Sequence, residues 1–163
     1  MKYIYVIIFF LFFKYSFAIE KYCQFEEVYS NGEIQLGYIL IKNDKIRYEY
    51  QNQDLYTIIY KAEKYFLIQN NNKKIIQKIN QNTEILDSII DILKRFPNIK
   101  AQYSFENLSV KIEKSNNNFI KRLGIQSDQT NLSINFIYCS DKKIDDKYFN
   151  QFNLFEFNAL NVN

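Results

Sequence analysis

The sequence of 163 residues carries 21 basic and 18 acidic side chains, a formal net charge of +3, and contains no histidine. Without a run of lysine or arginine, so small an excess excludes a protein that follows a nucleic-acid phosphate backbone. The absence of histidine removes the commonest general base and metal ligand, and two cysteines are too few for a four-ligand zinc site.

The first eighteen residues have the pattern of a signal peptide. Lys2 supplies the positive charge, residues 3–13 form an apolar stretch, and Ser16 and Ala18 are small residues at the spacing of a cleavage site. A membrane anchor is the alternative, although eleven apolar residues fall short of the roughly 20 that span a bilayer. We therefore expect export and cleavage after Ala18.

Cleavage would leave 145 residues, enough for one domain, with 19 basic and 18 acidic side chains. The basic balance of the full sequence thus comes largely from Lys2 and Lys14 in the signal segment. Cys23 and Cys139 remain, and an even number of cysteines in an oxidising compartment permits one disulfide. Two small buried apolar side chains are the alternative, and both interpretations stay open.

Short segments of alternating apolar and polar residues follow one another after the signal peptide, separated by turn residues. Asn31-Gly32, between the first two segments, is a strong hairpin signal. The pattern predicts six strands in an antiparallel meander, at residues 23–29, 33–42, 45–50, 55–61, 65–69 and 74–79.

One segment breaks this alternation and predicts an amphipathic helix over residues 83–96, because its apolar residues recur at helical spacing. Asn82 or Thr83 can cap its start, and Pro97 lies just beyond its end. Strand patterning then resumes at residues 108–112, 119–125, 132–138 and 152–157, with Leu132, Ile134, Phe136 and Tyr138 on one face. About ten short antiparallel strands favour a mainly β fold, as a curved sheet or part of a barrel.

Catalytic signals are weak in this sequence. The three glycines form no phosphate-binding cluster, and no acidic loop has calcium-binding spacing. Glu26-Glu27 and Asp145-Asp146 are adjacent pairs, whose side chains on a strand would point to opposite faces and could not share a proton. We therefore expect a protein that is not an enzyme and that needs no cofactor or metal.

Two predicted strands, at residues 55–60 and 65–68, are apolar on both faces. A strand with one wet face should alternate, so these strands need cover on both sides or must face an apolar cavity. One interpretation is a thick core completed by the helix, and the other is a barrel-like shell around an apolar ligand.

The predicted second and third strands carry a resemblance to a known family. The segments GYILIK (37–42) and KIRYEY (45–50) resemble the early strand pair of the LolA family of bacterial periplasmic lipoprotein carriers. That pair has a Gly-x-Ile strand, a turn, and then a lysine, an apolar residue and an arginine leading to Glu-Tyr. Gln24-Phe25 is loosely similar to the family's lead-in, and Asn82-Thr83 opens an Ile/Leu-rich helix at the corresponding place, so the resemblance spans most of residues 24–157.

The resemblance implies an incomplete, half-open antiparallel β-barrel with an α-helical lid over a hydrophobic cavity. It implies a monomeric periplasmic carrier that shields lipoprotein acyl chains, receives them from an inner-membrane lipoprotein-releasing ABC transporter and delivers them towards an outer-membrane acceptor. Arg47 would latch the lid through helix backbone carbonyls. The expected lipid-binding residues of the cavity and lid are Ile39, Tyr48, Ile58, Tyr60, Phe66, Ile89, Leu93 and Phe136.

Two other functions fit the same fold. A periplasmic sensor or protein-interaction module would use the shell without carrying lipid. An outer-membrane lipoprotein receptor is disfavoured, because residues 20–22 lack the small side chains of a lipidation signal before Cys23.

Overall fold

A computed structural model describes residues 19–77, 84–116, 119–128 and 130–150. The predicted signal segment 1–18, the helix caps Asn82 and Thr83, and the predicted closing strand 152–157 lie outside these ranges. In chain order the described elements are β1 (Glu20–Tyr29), β2 (Ile34–Lys42), β3 (Lys45–Tyr50), β4 (Tyr56–Lys61), β5 (Lys64–Gln69), β6 (Ile75–Gln77), α1 (Glu84–Lys94), β7 (Gln102–Ser104), β8 (Leu108–Lys114), β9 (Ile120–Ser127), β10 (Asn131–Ser140) and the 3₁₀-helix Asp146–Phe149.

The ten strands form one antiparallel sheet in the order β6-β5-β4-β3-β2-β1-β10-β9-β8-β7. Two meanders, β1–β6 and β7–β10, meet where β1 pairs with β10. Since β6 and β7 lie at opposite edges, the sheet of the described residues is not closed. The prediction of a mainly β fold, with an open antiparallel sheet and one amphipathic helix, is confirmed.

Strand β7, like the 3₁₀-helix, is an element that the sequence pattern did not predict. Its three residues include one half-buried side chain, Tyr103, so there is no alternation to detect. The strand exists because its backbone pairs with Ser109–Lys111 of β8, and such pairing depends on the tertiary fold rather than on local preference.

The two faces of the sheet are both partly covered. The face that carries Phe25, Ile39 and Tyr48 packs against α1, and we call it the helix face. Its core also includes buried residues of the other meander, among them Val110 and Ile134. Ten strands at about 4.8 Å spacing span about 43 Å, whereas eleven helical residues span about 16 Å. The helix therefore cannot cover this face alone, and the sheet curves around its own core.

The opposite face carries a polar segment, residues 141–150, which we call the strap. The strap crosses the ends of the first four strands in order, and each strand contributes at least one polar contact to it. These contacts are Lys21 with Asp141, Ile144 N with Glu20 Oε2 (2.8 Å), Lys42 Nζ with Ile144 O (2.7 Å), Lys45 Nζ with Asp146 Oδ1 (3.0 Å) and Lys61 Nζ with Asn150 Oδ1 (3.3 Å).

A second apolar cluster lies beneath the strap, on what we call the strap face. Ile144 and Phe149 of the strap pack against Tyr22, Tyr38 and Leu40 of the sheet. Phe149 is 1% exposed, so burial of its ring contributes about 2 kcal/mol to the strap's attachment. The strap is thus held by apolar packing in addition to its ion pairs.

A disulfide joins the two meanders at their common boundary. Cys23 of β1 lies directly opposite Cys139 of β10, with the Cα atoms 4.1 Å apart and the sulfur atoms bonded. A β-bulge near Ile137 makes this possible, because Gln24 pairs with Tyr138 while Phe25 pairs with Phe136. The prediction that Tyr138 shares a face with Phe136 is therefore wrong: the bulge turns Tyr138 to the strap face and brings Cys139 to the helix face.

Reducing the disulfide should lower the free energy of unfolding by about 4 kcal/mol, because the bond closes a loop with a sequence separation of 116 residues. Urea unfolding of the chain 19–163 with and without dithiothreitol measures the difference. A double variant, Cys23→Ser with Cys139→Ser, should match the reduced protein and not respond to reductant. Equal stability of the oxidised and reduced chains would contradict this expectation.

Gly37 permits a close approach between β1, β2 and β3. A Cβ atom at this position would overlap the Phe25 ring and the backbone carbonyl oxygen of Glu49. Phe25 pairs directly with Gly37 and stacks on Tyr48, with ring centroids 4.1 Å apart. The missing side chain at Gly37 therefore provides the space in which the Phe25 ring lies.

Replacing Gly37 with alanine should destabilise the protein by about 1–3 kcal/mol, because the Phe25 ring and the β3 backbone must both shift. Gly124→Ala is the matched control, since a Cβ atom there would have its nearest contact at 4.0 Å, the carbonyl oxygen of Lys111. Urea unfolding of both variants gives the comparison. A loss of stability at Gly124 as large as that at Gly37 would count against the steric explanation.

Candidate functional site

The interior of the helix face brings together most of the residues that the sequence analysis associated with a cavity and lid. Ile39 and Tyr48 from the sheet, Ile89 and Leu93 from α1, and Phe136 from β10 are buried in one core. Tyr60 belongs to the same core, and Ile58 packs against it. The described residues of α1 and of the sheet thus share one apolar core.

Among the described residues, polar side-chain contacts that use tyrosines connect α1 to the sheet. Tyr65 of β5 donates a hydrogen bond to the carboxylate of Asp87. Lys94 donates to the Tyr60 hydroxyl at 2.6 Å and lies 4.5 Å from the centre of that ring. Tyr60 and Tyr65 are directly paired across β4 and β5. One end of the sheet, at the β4–β5 turn, therefore provides the polar attachment of the helix.

A buried carboxylate lies at the other end of the same face. Glu27 is 5% exposed and accepts hydrogen bonds at Oε2 from the hydroxyls of Tyr50 (2.5 Å) and Tyr48 (3.2 Å). The Tyr29 hydroxyl is a further neutral group near this carboxylate. Among the described residues, no lysine or arginine forms an ion pair with Glu27, so its donors are neutral hydroxyls.

Burial decides the protonation behaviour of this cluster. Loss of water around Glu27 raises the pKa of its carboxyl group, while the hydrogen bonds from Tyr50, Tyr29 and Tyr48 oppose that shift by stabilising the charge. Burial, and next the nearby Glu27 carboxylate, raise the pKa values of Tyr48 and Tyr50. The tyrosines therefore remain neutral hydrogen-bond donors across the physiological range.

Arg47 lies on the strap face, away from the predicted cavity. Its Nε and Nη2 atoms bind Glu49 Oε2 at 2.6 and 2.5 Å, and its Nη1 atom donates to the Tyr148 carbonyl at 2.8 Å. The latch expected for Arg47 thus takes another form, because the carbonyl belongs to the 3₁₀-helix of the strap and not to α1. Removing one member of such a buried pair typically costs about 3–5 kcal/mol.

Phe66 is likewise separate from the other predicted cavity residues. It pairs with Ile59, which pairs with Arg47, so all three lie on the strap face. The segment Tyr65–Ile68 is apolar at every position. Without an alternation of apolar and polar residues, the sequence does not assign Phe66 to one face.

Sequence reasoning did not identify several contributors to these sites. Glu27 was considered only as half of an adjacent acidic pair, and Tyr29 and Tyr50 were considered only as residues of predicted strands. The alternation of buried residues along β1 could have identified Glu27, since Cys23, Phe25 and Glu27 occupy every second position of the strand. The sequence could not have indicated the role of the Tyr148 carbonyl, because every residue has a backbone carbonyl group.

A further buried polar residue, Asn70, lies in the turn between β5 and β6. Asn70 is 1% exposed and its amide donates to the carbonyls of Tyr50 (2.8 Å) and Asn52 (3.0 Å). Its side-chain oxygen accepts from Thr57 at 2.8 Å. Asn70 therefore holds the β3–β4 loop in place beside the Glu27 end of the sheet.

A small groove lies elsewhere, on β8, β9 and the start of β10. Its volume is about 160 Å³, and its lining includes Ser109, Lys111, Gln126 and Asn131 with Gly124 as part of the floor. Lys111, Gln126 and Asn131 of this lining are exposed.

The described ranges contain no group of three or more histidine, cysteine, aspartate or glutamate side chains arranged to hold a metal ion. No helix within those ranges is both long and apolar enough to cross a membrane. Comparison with models of known protein families finds no match, and comparison with curated proteins finds none either.

The raised pKa of Glu27 predicts a specific pH dependence of stability. The folded state holds this proton more tightly than the unfolded state, whose carboxyl group titrates near its usual value of 4.5. The proton on Glu27 therefore stabilises the folded state in full below about pH 4.5. This stabilisation is lost as the pH rises through the raised pKa of the folded state. Glu27→Gln cannot ionise, so its free energy of unfolding should not show this loss.

Urea unfolding between pH 4 and 8 tests the prediction, with Glu26→Gln as the matched control on the opposite face of β1. The difference in stability between wild type and Glu27→Gln should change with pH, in the direction of a relatively weaker wild type at higher pH. Glu26→Gln should follow the wild-type curve. Parallel curves for wild type and Glu27→Gln would exclude a raised pKa at Glu27.

Proposed function

We propose that this chain is an exported, non-enzymatic carrier that binds lipoprotein acyl chains between α1 and the helix face and delivers them towards the outer membrane. The observation that supports it is the mismatch between a wide, open sheet and the short helix that covers it. The apolar core runs from Tyr60 on β4 to Val110 on β8, and in the described residues α1 is the one α-helix over it. The likeness of residues 37–50 to the LolA strand pair adds to this support.

The way in which α1 is attached also supports a movable lid. Its polar fastenings to Tyr60 and Tyr65 lie at one end of the sheet and involve side chains alone. The rest of its hold is apolar packing by residues such as Ile89 and Leu93. Apolar packing is non-directional, so an acyl chain inserted beneath α1 would restore it to both surfaces.

The free energy of burying methylene groups favours a ligand with long alkyl chains. Each buried CH₂ contributes about 0.8 kcal/mol, so a sixteen-carbon chain contributes about 12 kcal/mol before the costs of opening are subtracted. Transfer of such a chain to water would lose all of this. Handover must therefore go directly to another apolar acceptor, which suits a carrier between two membranes.

The disulfide is consistent with the export part of the proposal. Cys23 and Cys139 are bonded, and disulfides of this kind persist in oxidising compartments outside the cytosol.

N-terminal sequencing of the protein recovered from the periplasm should give Ile19 as the first residue. Recovery of Met1 in the mature protein would contradict cleavage.

Binding of a diacylated lipopeptide is the direct test of carriage. The oxidised chain 19–163, incubated with dipalmitoyl-cysteinyl peptide dispersed in mild detergent, should give a stoichiometric complex by native mass spectrometry. The same peptide without its acyl chains should give none. Absence of a complex with the acylated peptide would reject the carrier and leave an interaction module of the same fold as the better proposal.

Loosening α1 should speed loading. Tyr65→Phe removes the hydrogen bond to Asp87 and keeps the ring, so association with the lipopeptide should be about three to ten times faster if opening of α1 limits binding. Asp91→Asn is the matched control, because it removes the pair with Arg95 on the same helix without touching the sheet. Fluorescence stopped-flow with a labelled lipopeptide measures both rates. Equal rates in Tyr65→Phe and wild type would exclude α1 as the gate.

A further inference from the structure

The strap face is deeply buried on β4 and β5, at some distance from the strap itself. Thr57 is 1% exposed and Ile68 is 2% exposed, and the two residues are paired across β4 and β5. Thr57 also pairs with Glu49, which pairs with Tyr38, so these residues lie on the strap face. Asn70, which accepts a hydrogen bond from Thr57, is buried as well. We call Thr57, Ile68 and Asn70 the β4–β5 patch.

Burial of this patch requires a second layer, because neighbours within a sheet leave the tops of side chains open to water. α1 packs on the opposite face, and the strap ends at Asn150, whose side chain accepts a hydrogen bond from Lys61. Thr57 lies four residues from Lys61 along β4, or about 13 Å. Within the described residues, Ile68 belongs to neither apolar cluster. The layer over the β4–β5 patch is therefore supplied by neither α1 nor the strap.

The residues that follow the strap have the composition that such a layer needs. Residues 151–163, which we call the tail, lie outside the described ranges. The tail has one charged side chain, Glu156, and five phenylalanine or leucine side chains, at Phe152, Leu154, Phe155, Phe157 and Leu160. It begins directly after Asn150, and seven extended residues reach about 23 Å. The tail is thus long enough to reach Thr57 from the end of the strap.

Other parts of the chain outside the described ranges fit this role less well. Residues 78–83 connect β6 to the start of α1 and contain one apolar side chain, Ile79. The predicted signal segment 1–18 is apolar, but we expect it to be removed after Ala18. The tail therefore combines the position, the length and the apolar content that the second layer requires.

We propose that the tail docks on the strap face of β4 and β5, with its phenylalanine rings against Ile68 and Thr57. Docking removes apolar surface of both the tail and the patch from water. The docked tail continues the strap, so that together they cover the strap face from β1 to β5. The chain itself then occupies this face, and the helix face remains for a ligand. The docking is independent of acyl-chain carriage, because the two use opposite faces of the sheet.

Nuclear Overhauser effects in the oxidised wild-type chain 19–163 test the docking directly, since this chain lacks residues 1–18. The methyl groups of Ile68 and Thr57 should give cross-peaks to ring protons of the tail. A variant with leucine at the three ring positions assigns these cross-peaks, because they should vanish when the rings are removed from Phe152, Phe155 and Phe157. Absence of such cross-peaks, or cross-peaks from the tail rings to α1 instead, would overturn the proposal.

Serine substitutions in the tail test whether docking stabilises the fold. Serine at Phe152, Phe155 and Phe157 should lower the urea midpoint of unfolding by at least about 1 M, because three buried rings are lost. The matched control has serine at three polar tail positions, Asn153, Asn158 and Asn161, and should unfold at the wild-type midpoint. An unchanged midpoint in the first variant, or equal losses in both, would contradict the docking. The cross-peaks of the wild-type chain decide the question if the first variant does not fold.

Discussion

The pairing of β1 with β2 on one side and β10 on the other is the contact on which the rest of the structure depends. Through it two local meanders become one ten-stranded sheet, and the Cys23–Cys139 disulfide lies at the same boundary. Without this pairing the helix face of β2–β4 would not meet that of β8–β10, and no shared core would exist. Every site described above lies on β1 or on strands whose position follows from it.

Strict alternation along the first four strands separates two kinds of buried polar site. On the helix face, Glu27 accepts hydrogen bonds from the neutral hydroxyls of Tyr48 and Tyr50. On the strap face, Arg47 and Glu49 form an ion pair within the protein, and the spare donor of Arg47 holds the Tyr148 carbonyl. The first arrangement satisfies a buried carboxylate with neutral donors, and the second pairs opposite charges and holds the strap.

Much of the local structure was predictable. The turn at Asn31-Gly32, the alternation along residues 45–50 and the helical spacing after residue 83 each predicted an element that the structure contains in its described part. The candidate site was less accessible to sequence reasoning. Tyr48, Tyr60 and Phe136 were placed in the interior as expected, whereas Phe66 lies on the strap face because its strand is apolar at every position. Tyr138 lies there too, because a single extra residue at the β10 bulge turns the side chains that follow it to the opposite face.

The sequence by itself determined most of the elements, since turn residues and the periods of 2 and 3.6 act over a few residues and need no distant partner; β7 and the 3₁₀-helix are the exceptions in the described part. It also determined the two-sided apolar character of β4 and β5, and with it the need for cover on both faces. Only the tertiary structure decided which cover each face receives: α1 on one side and the strap on the other. That choice, the β1–β10 register and the meeting of Glu27 with Tyr50 rest on contacts between residues far apart in the chain, for which the local pattern has no signal.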